Sequence, residues 1–196
     1  MDVQALVRDK KKARKLRSWI IFEDESGVTQ RPSIRSTWAP KGQTPVLIHL
    51  FNWKKMSVAA ALAFRWDGKR SRLFFQTKAD SYNEDGLIAF LKDLRREFHG
   101  KKCILIWDGL PAHKSNKMKA YLSSQKKWLY VEMLPGYAPD LNPVESLWGN
   151  VKAEELANLC ADNLGQIAEA VEAGMARAGA CKELANSFLS HAGLFF

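Results

Sequence analysis

Leu134-Pro-Gly-Tyr-Ala-Pro-Asp-Leu-Asn-Pro-Val-Glu145-Ser-Leu-Trp148 decides how the rest of the chain is read. Pro135, Pro139, Pro143 and Gly136 fix the path of a loop, because each proline locks its own φ and removes a backbone donor. Asn142 is a good helix cap and Pro143 suits the first helical position, so a helix starts here and Glu145 falls in its first turn. Two readings of Glu145 stand side by side. A carboxylate on so tightly specified a helix start is what a metal-dependent site needs to place a ligand. The spacing Asn142-x-x-Glu145 is also that of a capping box, in which Glu145 would satisfy a backbone N–H.

Outward from this stretch, two more carboxylates each end an apolar run, in Trp19-Ile-Ile-Phe-Glu-Asp24-Glu25 and in Cys103-Ile-Leu-Ile-Trp-Asp108. Both runs read as strands. Side chains alternate along the first, so Ile20, Phe22 and Asp24 share one face while Ile21, Glu23 and Glu25 share the other, and only one of Asp24 and Glu25 turns easily toward a site. Asp108 precedes Gly109 and would equally serve as a turn residue. Two carboxylates at strand ends and one on a helix together suit a hard divalent cation, which takes oxygen ligands.

The remaining elements follow from pattern. Val46 to Phe51 reads as an insert strand. Lys55–Trp66, the turn pair Asp67-Gly68 and Lys69–Lys78 read as a hairpin. Ser81-x-x-Glu84 opens a helix whose Leu87, Leu91, Leu94 and Phe98 repeat at helical spacing. A helix over about Ser115–Gln125, a strand over Trp128–Met133 and the Glu145 helix complete the order β-β-β-α-β-α-β-α. After Asn158 two further helices are expected, Asp162–Gly179 and Lys182 to about His191, the first with an apolar stripe of Ile167, Ala170, Val171 and Met175.

Four segments resemble a known family, the mariner-type DDE transposases of the bacterial insertion-sequence branch, whose catalytic domain is called a DDE superfamily endonuclease. They are Phe22-Glu-Asp24-Glu25-Ser-Gly27, Trp38-Ala-Pro-Lys-Gly-Gln43, Trp107-Asp108-Gly-Leu-Pro-Ala-His113-Lys114, and Leu134 to Glu145 with Trp148 and Lys152. The resemblance implies an α/β, ribonuclease H-like fold, a mixed five-stranded sheet flanked by helices with extra C-terminal helices. It selects Asp24 over Glu25 and implies that Asp24, Asp108 and Glu145 bind two Mg²⁺ ions, with Mn²⁺ able to substitute, for cleavage at element ends and 3′-OH strand transfer into target DNA at TA. His113, Lys114, Lys41 and Lys152 are candidate DNA contacts. A homodimer engaged on DNA is implied because two ends must be synapsed. Such transposases usually carry helix-turn-helix domains ahead of the catalytic domain. The expected division is therefore residues 1–18 as a basic helix or linker and 19–196 as the catalytic domain, with a separately encoded helix-turn-helix partner. An inactive or truncated relic that binds DNA or partners a full-length transposase is the competing reading.

The totals agree with this. The 196 residues are 46% hydrophobic, which suits a single core, and 30 Lys and Arg against 21 Asp and Glu leave a net charge of +9 that favours a polyanionic partner. Cys103, Cys160 and Cys181 lack metal-type spacing and point to a reducing compartment. The longest apolar run, Val58 to Phe64, is too short to span a bilayer. The expectation is a soluble protein of the cytoplasm, associated with the nucleoid and not with membranes.

Overall fold

Strand β4, Cys103–Trp107, has all five residues buried, as a continuous apolar run in a sheet covered on both faces requires. The computed structural model, which describes residues 11–49, 54–135 and 139–195, places β4 in a mixed five-stranded sheet of order β3-β2-β1-β4-β5. The other strands are β1 Trp19–Thr29, β2 Lys55–Arg65, β3 Ser71–Lys78 and β5 Leu129–Met133. β1, β2 and β3 form an antiparallel meander. β4 pairs parallel with both β1 and β5, so the chain must cross over between these strands, and helices supply the crossovers.

Residues 11–16 are helical and form α1. The later helices are α2 Glu84–Glu97, α3 Asn116–Ser124, α4 Pro143–Glu154, α5 Leu164–Ala180 and α6 Lys182–His191. Strand alternation divides the core in two. Ile20, Phe22, Ile104 and Ile106 pack with α4, α5 and α6 through Leu147, Val171, Met175 and Phe188. Trp19, Ile21, Leu105 and Trp107 pack with α2 and α3 through Leu87, Leu91, Leu94 and Met118. Ala59, Ala60, Ala61 and Ala63 of β2 are fully buried; their small side chains let helices approach the sheet from both sides. The stripe expected on α5 is core, with Ile167, Val171 and Met175 all buried.

Three expectations change in detail. α2 begins at Glu84 with Asn83 as its cap, the Asn83 side chain accepting from the Gly86 N–H, so Ser81 lies outside the helix. Asparagine is at least as good a cap as serine, and Glu84 and Asp85 then fall in the first turn, where the helix dipole favours negative charge. The hairpin loop is wider than two residues: Phe64 pairs with Ser71 as the last couple of the ladder. Arg65 clasps Asp67 with hydrogen bonds of 2.7 and 2.5 Å, and Gly68 takes φ +67°, a conformation glycine adopts without strain. The expected insert strand at Val46–Phe51 is not regular structure over residues 46–49, and residues 50–51 lie outside the described residues. So do residues 1–10 of the basic segment and Gly136–Ala138 of the pinned loop. The described part of that segment docks on β5: Lys12 pairs with Glu132 at 3.1 Å and its ammonium lies 4.7 Å from the Tyr130 ring centre.

Burial pushes the Cys103 thiol up to about 12, whereas Cys160 and Cys181 are partly exposed. A thiol this far above neutrality stays protonated and is a poor nucleophile. Titration of the native chain with a chromogenic disulfide at neutral pH should therefore modify Cys160 and Cys181, with Cys103 reacting only after denaturation. Rapid native labelling of Cys103, mapped by mass spectrometry, would contradict the packing of β4.

Candidate active site

The middle of β1, the end of β4 and the start of α4 converge; β1 continues past the expected strand end to Thr29, so Asp24 is its sixth residue and not a terminal one. Asp24, Asp108 and Glu145 line one cleft of about 530 Å³, together with Gly109, Lys114 and Asn142. The α4 start is built as its sequence suggests: Pro143 is the first helical residue, and the Asn142 side chain accepts from the Val144 N–H at 3.2 Å. The same side chain donates to the Glu23 carbonyl at 3.3 Å, which ties the helix start to β1 beside Asp24. The Asn142 N–H donates to the Pro139 carbonyl at 2.8 Å. A capping box would need that N–H for Glu145, so Glu145 is released from capping and lies exposed at the cleft.

Trp148 lies one turn along α4 from Glu145 and donates its indole N–H to Asp24 Oδ2 at 2.8 Å. The sequence presents Trp148 as a packing residue; no local pattern signals its second role. Asp108 accepts from the Leu110 N–H at 3.0 Å, so it is a turn residue as well as a member of the cleft. Its Oδ1 also lies 2.9 Å from His113 Nδ1.

The four cationic candidates separate. Lys114 joins the acids in the cleft, and its ammonium lies so near Gly109 that an added Cβ there would meet it at 2.6 Å. Lys152 turns to Ser26 Oγ at 3.1 Å and lines a neighbouring groove with Gly27, Arg31 and Ser33. Lys41 is exposed in a turn, outside both sets of lining residues. His113 is 3% exposed, with its ring stacked on Trp107 and its nitrogens facing Glu25 and Asp108. It is an interior residue and does not reach the cleft surface.

A family model described as DDE superfamily endonuclease matches residues 19–167. The chain belongs to this family. The DDE endonuclease fold is matched in solved structures. The Mos1 transposase paired-end complex with left transposon end has 17% identity and a TM-score of 0.62, covering 98% of this chain and 61% of that chain. The Mos1 mariner paired end complex with Mn has 16% identity and a TM-score of 0.60, covering 97% and 61%. The catalytic domain of Mos1 mariner transposase has 14% identity and a TM-score of 0.56, covering 98% and 91%. These likenesses establish the ribonuclease H-like fold, and the chain spans about three fifths of the length of the larger Mos1 chains. No curated protein matches by sequence.

The electrostatics of the cleft fit a cation. Asp24 is pushed up to about 7, chiefly by burial; the Trp148 hydrogen bond pulls it down, and the carboxylates of Glu145, Glu25 and Asp108 push it further up. Glu23, on the opposite face of β1, is raised well above the usual carboxylate range by burial and then by Glu25, Asp24 and Asp108. Negative charge gathered this closely favours either protons or a metal.

Asn142→Ala should cost about 1–2 kcal/mol through the lost cap and should also free the helix start from β1; urea unfolding reads the first effect. An unchanged unfolding midpoint would contradict the double role. A pH dependence follows from Asp24. Its folded pKa of about 7 exceeds the unfolded value of about 3.9. Between these values the folded chain holds a proton that the unfolded chain has released, so metal-free stability falls as pH rises through that window, and Glu23 acts with the same sign. In EDTA the urea midpoint should be lower at about pH 8 than at about pH 5, saturating Mg²⁺ should reverse the drop, and Asp24→Asn should flatten the share due to this residue. A midpoint that rises with pH in EDTA would contradict the assignment.

Proposed function

We propose that this chain is the catalytic domain of a transposase, which cuts DNA at the ends of a mobile element and joins the freed 3′-OH to target DNA at TA. One observation carries the reading: Asp24, Asp108 and Glu145, from three separate elements, line one cleft with Lys114. An all-oxygen donor set of this charge suits Mg²⁺ or Mn²⁺. Two such ions, held by Asp24, Asp108 and Glu145, would activate the attacking oxygen and neutralise the leaving oxygen of an in-line displacement.

The protein's own groups do the positioning. The Asn142 tether and the Trp148 hydrogen bond hold Asp24 and the Glu145 helix in one frame. Lys114 supplies a positive group beside the acids for a phosphate oxygen of the cut strand, and the net charge of +9 favours the polyanion as a whole. Among the described residues no helix is long and apolar enough to cross a membrane. Two copies would synapse two element ends.

Nicking of supercoiled plasmid in Mn²⁺ tests the site. Asp108→Asn and Glu145→Gln should each reduce nicking by more than about a hundredfold, beyond the loss typical of residues that only support a metal ligand. EDTA should abolish nicking. Retained nicking in either variant would remove that residue from the assignment. A joined product with end-bearing DNA identifies a transposase, whereas nicking without joining would reduce the activity to that of a nuclease. DNA binding should fall steeply with salt, and binding insensitive to salt would exclude the basic surface as the contact.

A further inference from the structure

Behind the cleft, on the face of β1 that carries Ile21, a second set of ligand-type side chains meets. One atom each from Glu23, Glu25 and His113 lies within 4.8 Å of the other two. Glu23 is 0% exposed, and neither of its carboxylate oxygens has a hydrogen-bond partner among the described residues. Oε2 of Glu25 is likewise buried and unpartnered. A buried oxygen without a partner carries its full desolvation cost. Protonation would remove the charge on Glu23 and give it one O–H to offer Glu25, but its other oxygen would stay without a donor, whereas a cation removes both costs.

The histidine is set for the same purpose. His113 Nδ1 lies 3.0 Å from the Asp108 carbonyl oxygen, which can only accept, so Nδ1 carries a hydrogen. Nε2 is turned 3.2 Å from Glu25 Oε1. Stacking on Trp107, with ring centres 4.0 Å apart and planes 8° apart, fixes the ring. An imidazole that donates Nδ1–H to a carbonyl and aims Nε2 at carboxylates has the arrangement of a metal-ligating histidine.

We propose that Glu23, Glu25 and His113 form a site for a divalent transition cation, Zn²⁺ or Mn²⁺, separate from the cations of the catalytic cleft. The mixed imidazole and carboxylate set disfavours Mg²⁺, which takes oxygen ligands and keeps much of its water. Ligand bonds of about 2.0–2.2 Å at tetrahedral angles place donor atoms about 3.3–3.6 Å apart; His113 Nε2 and Glu25 Oε1 already stand 3.2 Å apart, and with the trio within 4.8 Å Glu23 has at most about 1.5 Å to close. The second oxygen of Glu23 and Oε2 of Glu25 are free to complete the shell. Glu25, the only partly exposed member, marks the side from which the ion enters. Because His113 Nδ1 also faces Asp108 Oδ1 at 2.9 Å, a cation here would hold the orientation of Asp108 from behind.

Calorimetry with Zn²⁺ alone, and then with Mn²⁺ alone, tests this in the full chain carrying Asp24→Asn and Glu145→Gln, which removes two of the three cleft acids. One equivalent should bind, and adding Glu23→Gln should weaken it by more than about tenfold, the scale of loss for a disturbed metal shell. Circular dichroism establishes that each variant is folded. If Glu23→Gln does not fold, Glu25→Gln, at the partly exposed end, reads the same ion. Absence of a bound equivalent of either metal, or binding that persists in Glu23→Gln or Glu25→Gln, would overturn the proposal and leave an imidazolium–Glu25 pair beside a neutral Glu23. Because two of the three cleft acids are absent throughout and binding itself is read, the result does not depend on whether the chain cuts DNA.

Discussion

The parallel pairing of β1 with β4 is the constraint on which the site depends. In its register Phe22 lies opposite Ile106, so Asp24 and Asp108 each stand two residues beyond that pair, at equivalent places on adjacent strands. Paired strands lie about 4.8 Å apart, a spacing at which two carboxylates repel and partial burial strengthens the repulsion. α4 adds the third acid, held there by Asn142 and Trp148. The fold tolerates this because the strands that deliver the acids are buried on both faces, and the repulsion is small beside the core that fixes them. The rise of Asp24 to about 7 is the visible trace of burial and of that repulsion.

Elements whose signals are local could be read from the chain. β4 is a short unbroken apolar run, α2 repeats its leucines at helical spacing, and α4 starts where asparagine and proline say it should. Asp108 and Glu145 were likewise legible, since one follows β4 and the other begins α4, whereas Asp24 lies within β1 and was told from Glu25 by the family resemblance alone. Single-residue boundaries were not. Asn83 and Ser81 are both good caps, and the choice rests on how the chain leaves β3. At Asp67-Gly68 the Arg65 clasp widens a loop that the dipeptide alone suggests is tight.

Contacts that cross the sequence were the least legible part of the site. Trp148 to Asp24 spans 124 residues and His113 to Glu25 spans 88, and neither has a local pattern to betray it. Spacing alone leaves the capping reading of Glu145 open. That reading depended on whether the Asn142 N–H was still free, and the Pro139 carbonyl had taken it.

Strand alternation gives the segment Glu23-Asp24-Glu25 two destinations. Asp24 turns to α4 and the cleft, while Glu23 and Glu25 turn to the side of His113. The two sides are joined at Asp108, whose carbonyl and carboxylate oxygens both lie within reach of His113 Nδ1. The pKa causes show the same connection, since Asp108 and Glu25 each raise Asp24, and Asp24 and Asp108 each raise Glu23. Charge placed on one side of β1 is therefore felt on the other across a single strand. A cation at either place lowers the cost of ionising the acids at both. The buried Glu23, which has no counterpart in the chemistry of the cleft itself, is in this sense part of its electrostatic setting.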